Sequence, residues 1–269
     1  MDEFEVTPTA RSHSIALVVQ GPVLTRHSFT FMSLKYYRRL LPHSRIIFST
    51  WRGLDIEMQR KLDSHGVELV ENDPPEVAGF GNLNFQIRST KAGLERLENS
   101  KVELVVKLRS DQRIYNPNSF AFMRELLAAF PRQDNSPRLG ASSLNSFLTR
   151  TYSLSDMLQF SSLDSISQFW ALSEVNQVLD DLPQDATSCP EALLVFTYLQ
   201  SLGWKIENSD ATWRRAIAEE FLIADSSSLD QFWQKYSKRE HLWRRYTEDE
   251  ALQELDFGIW LMLRANKGN

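Results

Sequence analysis

Short apolar runs alternate with amphipathic stretches across the first 115 residues of this 269-residue chain, and that alternation constrains its fold more than any other feature. Ser14–Val19 is a continuous apolar run, as a strand covered on both faces requires, and Gln20-Gly21-Pro22 stops it. A helix is expected over 26–41, closed by Pro42. Arg45–Trp51 reads as a second strand, followed by a helix near Asp55–Ser64 with Gly66 just beyond its end. Val67–Glu71 reads as a third strand, ended by Asn72-Asp73-Pro74-Pro75. A polar loop over 76–83 leads to a helix from about Asn84 to Leu97, and a fourth strand covers 102–111. The order β-α-β-α-β-α-β predicts an α/β fold with an open, mostly parallel, Rossmann-like sheet flanked by helices.

The remainder is less regular and richer in helix. Helices are expected over 118–130, Leu163–Leu182 and from Pro190-Glu191 through Leu202, with two closing helices over 229–246 and 248–264. Residues 138–147 read as a strand, and Tyr152–Phe160 as another strand with a turn. No internal repeat or low-complexity linker divides the chain, so one domain over 1–269 is expected.

Ligands of such sheets bind at the carboxyl ends of the strands. Those ends are Gln20-Gly21-Pro22, Ser49-Thr50-Trp51, Asn72-Asp73-Pro74 and Arg109-Ser110-Asp111, all polar or turn-forming. The last is the most informative, because the apolar Leu104-Val105-Val106 runs straight into Lys107, Arg109 and Asp111. Residues two apart share a strand face, so the three charges converge if the strand holds its form to Asp111. Burying them costs several kcal/mol each unless they are paired or meet a ligand. Two cations and a carboxylate suit a phosphate with its metal ion, and Asp111 would supply the hard oxygen that Mg2+ or Mn2+ prefers. An aspartate capping a turn is the plainer alternative.

Other residues carry weaker signals. Asn84 is a good N-cap, which would set Arg88 one turn inside a helix whose positive end suits phosphate. A solvated surface arginine fits the same pattern. Asp156 and Glu191 are the candidates for a general base or an acceptor-binding carboxylate, although Pro190-Glu191 is also an ordinary helix start. Phe232, Trp233, Tyr236, Trp243 and Tyr246 are interleaved with lysines and arginines, a pattern that core packing explains better than contact with anionic lipid or saccharide.

Several classes are disfavoured. There is no G-x-G-x-x-G, no P-loop and no G-x-S-x-G elbow. Cys189 is the only cysteine, and the five histidines are too scattered for a zinc site. A net charge of −5, from 30 basic and 35 acidic residues, argues against nucleic acid as a partner. The polar N-terminus has no signal-peptide pattern and no apolar run approaches a membrane span, so a cytoplasmic protein is expected, with peripheral contact at the inner membrane left open.

Taken in order, Val18–Pro22, Ile47–Trp51, Asn72-Asp73-Pro74, Asn84 with Arg88-Ser89-Thr90, and Lys107–Asp111 resemble the WavE family, associated with bacterial lipopolysaccharide core and surface-polysaccharide synthesis. The resemblance is good over about 14–115 and thinner beyond. It implies a GT-A-type glycosyltransferase, with a nucleotide-binding half at 14–115 and an acceptor-binding half with closing helices at 116–269. The donor would be a nucleotide-sugar and the acceptor a glycan or lipid-linked glycan. Gln20, Gly21 and Pro22 would line the nucleotide pocket, with Ser49, Thr50 and Asp73 at its rim. Arg88, Lys107 and Arg109 would neutralise the diphosphate, and Asp111 would hold a divalent metal or bind ribose. Glu191, or failing it Asp156, would deprotonate the acceptor hydroxyl if the enzyme inverts the anomeric centre. Such folds usually carry an Asp-x-Asp-like motif, whereas Ser110-Asp111-Gln112 brings one carboxylate. Two rivals remain at this level: a nucleotidyltransferase, which should show a Gly-rich basic loop where this chain has Val-Leu-Thr-Arg-His after Pro22, and a non-catalytic nucleotide- or glycan-binding subunit.

Overall fold

Ile15–Gln20 forms strand β1, buried along its whole length and paired on both sides. The unbroken Ile-Ala-Leu-Val-Val run suits that position, since neither face of a central parallel strand meets water. The computed structural model describes residues 14–175, 189–207, 209–234 and 253–266. Beyond β1 come α1 (Phe29–Leu40), β2 (Arg45–Trp51), α2 (Ile56–Ser64), β3 (Val67–Asn72), α3 (Leu83–Glu95) and β4 (Leu104–Arg109), the alternation expected from the sequence. The strands lie side by side as β3-β2-β1-β4, all parallel. From β1 the chain steps outward to β3, then crosses back to the other side of β1. That reversal opens a crevice between the carboxyl ends of β1 and β4.

The second half extends the same sheet. It contributes β5 (Gln112–Ile114), α4 (Ser119–Ala129), β6 (Leu139–Ser142), β7 (Leu158–Ser161), α5 (Leu163–Phe169), α6 (Pro190–Ser201), α7 (Asp210–Glu220), β8 (Phe221–Ala224), β9 (Gln231–Trp233) and α8 (Phe257–Ala265). β7 runs antiparallel against β4, β6 antiparallel against β7, and β8 parallel to β6, giving a mostly parallel seven-stranded sheet. Because β7 is antiparallel, the residues that precede it lie beside the carboxyl end of β4, where Leu108 pairs with Leu158. No helix among the described residues is long and apolar enough to cross a membrane.

Several expectations need correction. The strand expected to run to Asp111 stops at Arg109. Ser110 turns the chain there, donating its N–H to the Gln20 carbonyl at 2.8 Å and its hydroxyl to the Pro22 carbonyl at 2.7 Å. The chain restarts as β5, which pairs with β9. The region 229–246 opens as that strand instead of a helix, and 235–246 lies outside the described residues. The helix expected over 163–182 ends at Phe169, and 176–182 is likewise outside them. The last helix begins at Phe257, well after 248. Asn84 does not cap α3; Asn82 holds that position, and the buried Asn84 amide bridges the backbone of Val77 and Val175. The sequence reading assigned no element to α7 or β8.

Candidate functional site

A cavity of about 510 Å3 opens at the carboxyl ends of β1, β2 and β4. Its walls are Gln20-Gly21-Pro22 after β1, Trp51 at the end of β2, Arg109-Ser110-Asp111 after β4, and Gly81, Asn82, Phe85 and Gln86 at the start of α3. Gly21 sits at φ +121°, a conformation that disfavours any side chain, and a Cβ there would come within 2.7 Å of Ser110 Oγ. A glycine is required because the two turns are hydrogen-bonded face to face. The end of β1 is also tied to α3, through Ser89 Oγ donating to Gln20 Oε1 at 2.8 Å. Trp51 and Phe85 meet edge to face with ring centroids 5.0 Å apart, forming an aromatic wall. A smaller cavity of about 230 Å3 adjoins the first across Pro22 and Trp51, and Thr50 lines it.

The charges divide into two groups. Arg109 faces the cavity, and its guanidinium donates through Nε and Nη2 to both oxygens of Asp111 at 3.0 and 2.9 Å. Trp233 Nε1 donates to Asp111 Oδ2 at 2.9 Å, and its ring lies 5.8 Å from the Arg109 guanidinium. The β5–β9 pairing that sets Trp233 opposite Gln112 brings the indole there. Burial disfavours the Arg109 cation, but the carboxylates of Asp156 and Asp111 outweigh it and raise the pKa.

Lys107 belongs to the second group. It shares a strand face with Arg109 but is completely buried, and it does not line the cavity. Its ammonium donates to the backbone carbonyl of Asp156 and stands 4.4 Å above the Trp170 ring. Burial lowers the Lys107 pKa to about 8, against the opposing pull of the Asp156 charge. Asp156 is also buried, and neither carboxylate oxygen has a partner among the described residues. Glu191 completes this group from the first turn of α6, where Asn145 Nδ2 donates to its Oε1 at 3.1 Å. Burial, then repulsion from Asp156, pushes the Glu191 carboxyl up to about 7. The neighbouring Pro190 packs against Gly81, whose added Cβ would lie 2.7 Å from the proline ring, so this turn of α6 abuts the cavity wall.

The remaining expected residues are engaged elsewhere. Arg88 makes a two-pronged ion pair with Glu174 and donates to the carbonyls of Asp73 and Pro74, so its guanidinium braces a loop outside the cavity lining. Asp73 pairs with Arg52 at 3.2 Å on the surface. Ser49 is fully buried, with its hydroxyl accepting from Asn72. Gln20, Gly21, Pro22, Arg109 and Asp111 are therefore brought together, Lys107, Asp156 and Glu191 form an adjoining charged group, and Ser49, Asp73 and Arg88 stand apart. Sequence reasoning missed the contribution of Trp51, Phe85 and Trp233. Trp51 was within reach, as the last residue of a strand end already singled out.

A divalent cation on a nucleotide is held by one or two carboxylates together with phosphate and water oxygens, so a free Asp111 carboxylate would be its ligand here. Both Asp111 oxygens are held by Arg109 and Trp233, and no group of three or more His, Cys, Asp or Glu side chains gathers as a cation cage among the described residues. The residues present do not fit such an ion.

No curated protein matches the chain. Among solved structures it is similar to 4-diphosphocytidyl-2C-methyl-D-erythritol synthase from Anaerococcus prevotii DSM 20548, with 8% identity, a TM-score of 0.45 and coverage of 96% of this chain and 97% of that one. It is also similar to a glycosyltransferase involved in glycosylation of the major capsid of PBCV-1, at 10% identity and TM-score 0.39, covering 79% and 82%. Mouse xyloside xylosyltransferase 1 gives 10% identity and TM-score 0.39, covering 79% and 86%. A family model, WavE lipopolysaccharide synthesis, matches residues 15–180, which is more than half of the chain. The protein therefore belongs to the WavE lipopolysaccharide synthesis family.

Proposed function

We propose that the protein is a glycosyltransferase of GT-A type, moving a sugar from a nucleotide-sugar onto a glycan or lipid-linked glycan of bacterial lipopolysaccharide or surface polysaccharide. The observation that carries this reading is the cavity at the β1/β4 reversal, with one arginine fork at its wall, in a chain of this family. Gly21 lines the cavity, and the aromatic wall of Trp51 and Phe85 offers apolar contact to a base. Arg109 neutralises charge as the nucleoside diphosphate leaves, the kind of electrostatic stabilisation that is often the largest catalytic contribution. Glu191, with a pKa of about 7, takes the proton of the acceptor hydroxyl as the new glycosidic bond forms. Asp156 keeps that pKa raised through its own charge.

Incubation with a panel of nucleotide-sugars and a lipopolysaccharide-core acceptor tests the reading. The expected product is free nucleoside diphosphate, released faster with acceptor, and reduced about a hundredfold or more in Glu191→Gln. Release of pyrophosphate from a nucleoside triphosphate and a sugar phosphate, with no diphosphate from any sugar donor, would replace it with nucleotidyl transfer. Nucleotide binding without turnover of either kind would indicate a binding subunit.

A further inference from the structure

We infer that this site holds the diphosphate of its donor without a divalent metal, through the unused edge of the Arg109 guanidinium, and that Asp111 is a positioning residue for that arginine. The inference rests on the nucleotide-sugar reading above. Three hydrogen bonds fix Asp111: two from Arg109 and one from Trp233 Nε1. They take three of its roughly four acceptor positions, and a cation on the one that remains, at Oδ1, would stand beside the guanidinium charge. The Trp233 contact is built by β9, so the arrangement is anchored by tertiary structure as well as by the local turn. Arg109 spends Nε and Nη2 on Asp111, and Nη1 has no partner among the described residues. A guanidinium held along one edge by a carboxylate can still offer its other edge to phosphate as a planar, two-pronged donor. Arg109 and Asp111 both line the cavity, on either side of the Ser110 that packs against Gly21. Arg88 and Lys107 are committed to Glu174 and to Asp156, so of the three cations singled out from the sequence Arg109 is the one that lines the cavity.

Calorimetric titration of UDP, CDP, GDP, ADP and dTDP, in chelator and in Mn2+, tests this directly. The tightest of them should bind equally in both conditions, within about twofold. Arg109→Ala should weaken it by about tenfold to a hundredfold, the loss of one charge-assisted pair, and Arg109→Lys should fall between, keeping the charge but losing the fork. Asp111→Asn retains one acceptor for Arg109 and should lose less than Arg109→Ala in chelator. Binding at least about tenfold tighter in Mn2+, with that gain abolished in Asp111→Asn, would overturn the inference. Electron paramagnetic resonance of Mn2+ mixed with the protein provides a second readout. If none of the diphosphates binds under either condition, the nucleotide-sugar reading fails. The inference falls with it; where a diphosphate does bind, a bound Mn2+ fraction that disappears in Asp111→Asn overturns the inference alone, and identical spectra for the two proteins are the expected result.

Discussion

Glu191 shows how the surroundings of one side chain change its protonation. Its carboxyl is carried toward a buried carboxylate, Asp156, and away from solvent, and both effects favour the protonated form. The proposed role as base needs the deprotonated form, so turnover should fall as pH drops through about 7, and Glu191→Gln should remove that limb along with most of the rate. Stability has the opposite sign. The folded-state pKa of about 7 lies above the ordinary value of 4.5, so the folded protein binds this proton more tightly than the unfolded chain. The cost of ionising Glu191 therefore builds between those two values and is fully present above the higher one. Glu191→Gln should melt at a higher temperature than the parent at alkaline pH, with the gap closing as the pH falls from about 7 to 4.5. An equal gap at both ends, measured by thermal unfolding, would show that Glu191 does not titrate as described.

Among the elements, α3 matters most, because its first turns form one wall of the cavity and its middle packs on the sheet. Gly93 allows the close approach: a Cβ there would lie 2.6 Å from Val18 Cγ1 and 3.4 Å from Ser49 Cβ. Replacing a helical glycine by alanine gains up to about 1 kcal/mol in propensity. Overpacking a core costs about 1–3 kcal/mol, and Val18 is in a fully buried strand with no room to yield, so Gly93→Ala should be net destabilising by roughly 1–2 kcal/mol. Urea unfolding checks the sign; a midpoint equal to or above the parent's would contradict this packing account. The strands of the first half were legible because each centres on β-forming apolar residues and ends in polar or turn-forming ones. The break at Ser110 was not, since it depends on hydrogen bonds to Gln20 and Pro22, whose carbonyls come into range only when β1 and β4 are neighbours. β9 and β8 were missed for a related reason. They are three and four residues long, and their partners are distant in sequence.

At the scale of the whole molecule, the sheet order decides which charges meet a ligand. The strand-end rule located the rim from sequence, because it follows from connectivity alone. It could not divide the cations. Lys107 and Arg109 look equivalent on one strand face, yet the antiparallel return of β7 sets Asp156 beside the first, and α5 covers it with Trp170. Arg109, one step nearer the strand end, is left facing the cavity. The same topology puts Glu191 against the cavity wall, through the contact of Pro190 with Gly81. On the proposed reading, binding and leaving-group neutralisation fall to this crevice and proton removal to Glu191 behind its wall. Crystallographic density for a bound nucleoside diphosphate tests that assignment most directly. The account predicts the phosphates within hydrogen-bonding distance of the Arg109 guanidinium, beside the Gly21 backbone, with the base against Trp51 and Phe85. A diphosphate bound outside the β1/β4 crevice, or held in it with no contact to Arg109, would contradict the account.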